Sequence, residues 1–127
     1  LSERLPYPPT EEEAGFLLET CVLHELRAYL SYSGLNYPVH YWSSHDRVEV
    51  DFLVEDARGF VAIEVKSSRT WRGAFHRGAA RLREELGPGR VRAFGIYAGA
   101  RRQDEGALAV LPWTDFLRKL WDGEVLR

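Results

Sequence analysis

The chain has one cysteine, Cys21, no methionine, and no uninterrupted apolar stretch of the length a bilayer crossing requires. A single cysteine excludes an internal disulfide framework and a multi-cysteine zinc site, and it suits a reducing, cytoplasmic compartment. Without an apolar run of roughly 20 residues there is no candidate membrane span, and no secretory signal pattern is visible near Leu1. The lack of methionine in a chain that opens on Leu1 is what a piece of a longer protein would display. Lysine is scarce too: of 17 basic residues only Lys66 and Lys119 are lysine. Each lysine therefore stands out, because arginine is effectively always protonated whereas a lysine's charge responds to burial.

What is present is ordinary globular composition: 127 residues, 45% hydrophobic, 13% aromatic and 28% charged, the size of one domain with a real core. The net charge of −2 argues weakly against a nucleic-acid partner when taken alone. It hides an asymmetry, with residues 1–65 at −8, residues 66–102 at +8 and residues 103–127 at −2. A +8 segment inside an acidic chain is either an anion-binding surface or an arginine-rich helix face paired with acids elsewhere.

Residues 1–10, with Pro6, Pro8 and Pro9, read as a linker or irregular arm. Thr10 and Glu13 have capping-box spacing, and Glu11, Glu12 and Glu13 suit the positive end of a helix dipole. The helix they start runs to about Leu30 with Phe16, Leu17, Val22, Leu23, Leu26 and Leu30 as its apolar stripe, and Cys21 reads as a small core residue. Strands are expected at Val39–Ser43, Arg47–Val54 and Phe60–Lys66, the last two with clean alternation. A second helix is expected over Arg72–Leu86, then a buried strand Val91–Ala98, a loop Gly99–Gly106 and a short strand Ala107–Leu111. Pro112 at the N1 position opens a last helix whose inner stripe is Trp113, Phe116, Leu117, Leu120 and Trp121. The order is αβββαββα. It implies an α/β (α+β) fold with an antiparallel three-strand meander followed by a parallel crossover.

The two alternating strands must pair so that their apolar faces coincide. That register sets Val54 opposite Val61, Phe52 opposite Ile63 and Val50 opposite Val65. On the other face it sets Asp51 opposite Glu64 and Glu49 opposite Lys66, with opposed Cβ atoms about 5 Å apart. Opposed carboxylates are destabilising, the more so where burial penalises their charge. A divalent cation would compensate, and Mg²⁺ needs only one or two protein carboxylates. The plain alternative is a solvated polar face on which Glu49 and Lys66 form a cross-strand ion pair.

Asp51 followed by Glu64-Val65-Lys66 across a hairpin resembles the PD-(D/E)XK nuclease superfamily, whose restriction-endonuclease-like αβββαβ core matches the order above. The resemblance implies that Asp51 and Glu64 bind Mg²⁺ (or Mn²⁺) and that Lys66 assists the attacking water. It also implies a helix glutamate within Gly-x-x-x-Glu, here Gly15 to Glu19. Glu25 is the competitor, but it lies about 240° around the helix from Glu19, so both cannot face one site. Val50 stands where the superfamily's name has proline.

A closer resemblance runs from Gly15 to Trp121, through Glu49–Leu53, Ile63–Ser68, Leu111-Pro112-Trp113 and Leu120-Trp121. These segments are similar to the domain of unknown function at the C-terminus of many archaeal and bacterial AAA-type ATPases. It implies a nuclease-like domain over residues 15–127, an arm or linker over 1–14, and an upstream ATPase module. No Gly-x-x-x-x-Gly-Lys-[Ser/Thr] phosphate loop occurs in the chain itself.

The expected activity is metal-dependent hydrolysis of nucleic acid, DNA above all, by Glu19, Asp51, Glu64 and Lys66. Arg69, Arg72, Arg77 and Arg81 would hold phosphates, which gives affinity without sequence preference. Trp71 is either a stacking platform or a packing anchor. Ser67 and Ser68 either orient a phosphate or form a turn. His24, His40, His45 and His76 lack metal-ligand spacing, and His24 and His76 read as surface or packing residues. The alternative is a catalytically silent module that binds nucleic acid or protein beside an ATPase.

Overall fold

The computed structural model describes residues 10–105 and 108–127. The prolines of the expected arm lie outside them, as do Gly106 and Ala107. The chain opens on helix α1 (Glu11–Ser33). Thr10 Oγ1 accepts the Glu13 N–H at 3.1 Å and Glu13 Oε1 accepts the Thr10 N–H at 2.8 Å, closing the capping box. Gly34, at φ 71°, ends the helix in the left-handed conformation, and the Leu35 N–H returns to the Leu30 carbonyl at 3.0 Å.

Strands β1 (His40–Ser43), β2 (Glu49–Asp56) and β3 (Gly59–Val65) form the antiparallel meander. A crossover through a 3-10 turn at Gly73–His76 and helix α2 (Arg77–Leu86) leads to β4 (Val91–Tyr97), parallel to β3. Strand β5 (Gln103–Glu105) lies within the segment expected to be a loop, where it pairs antiparallel with β6 (Leu108–Pro112) and makes the order αβββαβββα. Its three residues are too few for a periodic signal; the partner strand creates it. Helix α3 spans Trp113–Trp121, with Pro112 as the last residue of β6 and the cap of the helix. The result is one six-stranded mixed sheet, ordered β1-β2-β3-β4-β6-β5, with helices on both faces.

On one face Val22, Leu26 and Leu30 of α1 pack with Phe116 and Leu120 of α3 against Phe52, Val54, Ile63 and Ile96. On the other, Ala79 and Leu82 of α2 pack with Trp71 against Val50, Leu53, Ala62 and Val110. The expected stripes are therefore trimmed. Phe16 and Leu17 are 68% and 55% exposed, because they lie about 120–140° around the helix from Val22. Trp113 and Trp121 are 39% and 40% exposed on the outer edges of α3. Cys21, one residue off the buried line, is exposed rather than a core residue.

The β2–β3 register is the expected one from Asp56 opposite Gly59 to Phe52 opposite Ile63. There it stops. Against β1, Trp42 pairs with Val50 but His40 pairs with Leu53, so β2 carries one extra residue, a bulge. The bulge reverses the parity of the strand: Val50 joins the α2-side core, whereas Phe52 and Val54 join the other. The expected continuous face Val48–Val54, and with it the Val50–Val65 pairing, is broken at this point.

Helix α2 approaches the bulged strand closely through Gly78. A Cβ there would stand 2.1 Å from the Glu49 carbonyl oxygen. Gly78→Ala is expected to cost about 1–3 kcal/mol through overpacking. Gly15→Ala is the control, since its Cβ would meet only Ser67 Oγ, at 3.7 Å, and glycine lowers helix stability by roughly 0.5–1 kcal/mol. Urea denaturation of both variants checks the pair. Equal stability of Gly78→Ala and wild type would contradict the close approach.

Candidate active site

Where the β2–β3 ladder ends, two carboxylates take over. The Val65 N–H donates to Asp51 Oδ2 at 2.7 Å, and the Asp51 N–H donates to Glu64 Oε1 at 3.2 Å. Each acid thus satisfies a backbone donor of the opposite strand. The Lys66 N–H leaves this pair and binds the Ile96 carbonyl of β4 at 2.8 Å. Strand β3 is held by its parallel neighbour while β2 bends away.

The opening is a cavity of about 160 Å³. Its floor and walls include Asp51, Glu64 and Lys66, together with Arg47 and Glu49 from the β1–β2 hairpin and Arg77 from the start of α2. Lys66 Nζ lies 3.9 Å from Glu64 Oε2 and 5.0 Å from the centre of the Phe75 ring. Glu64 is 6% exposed. Burial, reinforced by the negative charge of Asp51, pushes its carboxyl up to about 8, with Lys66 acting the other way. Burial also raises Asp51, opposed by the Val65 N–H and Lys66. Glu19 is raised by burial and then by the charge of Asp51, so α1 brings it within electrostatic reach, although it is not part of the cavity lining. Glu25 faces elsewhere and accepts the Trp121 Nε1–H at 2.9 Å.

Half-buried Asp51 and buried Glu64 set two carboxyls side by side, and Lys66 is the one cation within ion-pair distance of either among the described residues. The donor set, oxygen only, suits a hard cation such as Mg²⁺. Among the described residues no group of three His, Cys, Asp or Glu side chains is arranged to hold a metal ion. A cation here would rely on Asp51 and Glu64 plus waters or substrate oxygens, a coordination habit of Mg²⁺.

The remaining expected residues separate clearly. Trp71 is 6% exposed, donates its Nε1–H to His76 Nε2 at 2.9 Å, and lies over Gly95, where a Cβ would come within 2.5 Å of its ring. It is a packing anchor and offers no stacking face. Arg81 is not free to hold phosphate: it bridges Asp46 and Glu85, each at 2.9 Å. Arg92 is tied to buried Asp56, whose carboxyl burial would raise but whose hydrogen bonds from Arg92, Arg58 and Arg127 hold below the usual range. Arg69, Arg72 and Arg77 are exposed, and among the described residues none has an ion-pair partner. Ser68 and Thr70 form a local turn through bonds of 2.8 and 3.1 Å, and Ser67 Oγ reaches the Glu11 carbonyl at 3.4 Å. The Glu49–Lys66 ion pair of the plain alternative is not formed, and Lys66 Nζ approaches Glu64 instead. The bulge moves Glu49 out of register, and it accepts a hydrogen bond from the Tyr41 hydroxyl instead.

Arg47, Phe75 and Gly78 line the cavity without having been singled out in the sequence. Gly78 had a signal, an isolated glycine in a helical stretch. Arg47 had none.

The model of a domain of unknown function, DUF4143, matches residues 14–116, and the chain belongs to that family. No curated protein matches it.

Buried Glu64 sets a pH dependence. Glu64 holds its proton in the folded chain up to about pH 8, whereas a free glutamate loses it near 4.5. Between those values the folded state binds more protons than the unfolded one, so stability is greatest at the acid end and falls as pH rises. The expected loss is on the order of a few kcal/mol in metal-free buffer. Glu64→Gln keeps an acceptor for the Asp51 N–H and removes the charge, so its melting temperature exceeds wild type at pH 8 and the slope flattens. Thermal melts from pH 5 to 8.5 in chelator check this. A wild-type melting temperature that rises over that range would refute it.

Proposed function

We propose that this DUF4143 domain is a divalent-cation-dependent nuclease that hydrolyses phosphodiester bonds at the Asp51–Glu64–Lys66 cavity. The observation that carries the proposal is the pair of adjacent carboxyls, half-buried Asp51 and buried Glu64, on an open cavity with a lysine ammonium beside them. Uncharged amides would accept the same backbone N–H groups; a cation and a phosphate would use the carboxylates. The resemblance of Asp51 and Glu64-Val65-Lys66 to the PD-(D/E)XK signature points the same way, as does the meander-then-crossover topology.

Asp51 and Glu64 would hold Mg²⁺ or Mn²⁺, which when bound polarises the phosphate and eases deprotonation of water. The water oxygen forms a bond to phosphorus as the ester P–O bond opposite breaks. The proton released by the water and the one taken up by the departing oxygen balance through solvent. Lys66 Nζ, within reach of Glu64, orients the water and offsets charge building on the phosphoryl oxygens. Glu19 is a positioning residue, reaching the site through its field on Asp51. Arg69, Arg72 and Arg77 supply phosphate contacts on the exposed side. The family is typical of AAA-ATPase-associated proteins, so an ATPase module is the expected partner within the longer protein. The substrate is nucleic acid, DNA in the first instance.

Two measurements test this. Mn²⁺ at about tenfold over its Kd should stabilise the fold by about 1.4 kcal/mol, and Asp51→Ala should abolish the shift. Labelled single-stranded, duplex and branched DNA and RNA should be cut with Mg²⁺ or Mn²⁺, and Lys66→Ala should lower the rate by about 10²-fold or more. No metal shift and no cleavage would replace the proposal with a silent nucleic-acid- or protein-binding module. Full activity in Lys66→Ala would move the chemistry away from this cavity.

A further inference from the structure

Arg47 is the one non-glycine residue with positive φ among the described residues, at 64°. Arginine is uncommon in that conformation, and glycine or asparagine would relieve it. The β1–β2 turn enforces it: the Arg47 N–H binds the Ser44 carbonyl at 3.1 Å, the Ser44 N–H binds Val48 O at 2.8 Å, and the Val48 N–H binds Ser44 Oγ at 3.0 Å. The turn is itself fastened to α2 by the Asp46–Arg81 bridge at 2.9 Å. Strain that the surroundings over-determine is a mark of functional sites.

The strained backbone presents an arginine to the cavity wall, where Arg77 also stands. Arg81 and Arg92 are committed to carboxylates. Arg47 and Arg77 have no side-chain hydrogen bond or ion pair among the described residues, and both are exposed. Glu49, Asp51 and Glu64 share the same lining but take hydrogen bonds from Tyr41, Val65 and Asp51 respectively. Two guanidinium forks without partners beside a carboxylate pair match the oxygens of an anionic diester.

We propose that Arg47 and Arg77 form a phosphate clamp, gripping the nucleic-acid backbone next to the reacting group. The proposal deepens the nuclease reading and rests on it for the identity of the ligand. A clamp on phosphate alone reads no base, so binding is independent of sequence.

Fluorescence anisotropy with fluorescein-labelled single-stranded and duplex DNA, with Ca²⁺ replacing Mg²⁺, tests the clamp alongside thermal melts. Arg47→Gly should bind roughly tenfold or more weakly. Its plot of log affinity against log salt on duplex DNA should be shallower by about one. Its melting temperature should stay level or rise, since glycine accepts the turn. Arg77→Gln, which leaves the turn intact, should lose affinity in the same way. Wild-type affinity in both variants overturns the clamp, while Glu64-dependent cleavage would keep the nuclease reading standing. Binding that depends on both arginines without any cleavage supports the clamp and sinks the hydrolytic chemistry. No binding of either DNA by the wild-type chain overturns both.

Discussion

The site depends on two hydrogen bonds that run from side chain to backbone across β2 and β3. A bulge removes the ordinary ladder beyond Phe52 and Ile63. Asp51 and Glu64 restore the lost pairing with their carboxyls, the first accepting the Val65 N–H and the second the Asp51 N–H. Backbone donors left unpaired in so buried a place would be costly. The acids therefore close the sheet and, because they are longer than a ladder bond, keep it open by the width of a side chain. The cavity borders this pair and is lined as well by the 3-10 turn and the start of α2.

The same bulge explains how one strand serves two cores. Parity reversal sends Val50 under α2 and Phe52 under α1, so the strand is gripped from both faces at the residues flanking Asp51. Helix α2 completes the grip. Gly78 lets it touch the Glu49 carbonyl, and Arg81 ties its middle to the β1–β2 turn through Asp46. An exposed ion pair contributes little stability by itself. Its value here is positional, because it links the helix and the turn that both line the cavity.

Long periodic segments were legible in the sequence: the capped α1, the Phe52–Ile63 and Val54–Val61 register, the crossover helix and the parallel strand after it. So was the meeting of Asp51 with Glu64. That followed from matching apolar faces, and the match held for the five pairs from Asp56–Gly59 to Phe52–Ile63, one step short of the acids. What was illegible has a common cause. The bulge, the three-residue β5 and the left-handed Arg47 are all created by partners distant in sequence. Alternation in Val48–Val54 is equally compatible with a regular strand, and arginine at a positive-φ position carries none of the marks that glycine or asparagine would leave. Charge counting was similarly incomplete. The +8 segment divides into arginines committed to acids, such as Arg81 and Arg92, and a smaller exposed set that includes Arg77.

The two acids have conflicting duties, and the conflict is informative. As framework they need only an oxygen each to receive a backbone N–H, which glutamine or asparagine would provide without charge. As a carboxylate Glu64 is penalised by burial and then by the charge of Asp51, and it holds its proton to about pH 8 in consequence. A sequence shaped by stability alone would keep the acceptors and drop the charges. Retaining two carboxyls there, beside a lysine in a chain that otherwise uses arginine almost throughout, is unfavourable for the fold above the pH at which Glu64 ionises unless a cation binds. Perturbed groups of this kind concentrate where chemistry is done. The strain at Arg47 follows the same logic a few residues away: glycine would relax the turn, and arginine is kept. Stability forgone at both points falls on one cavity.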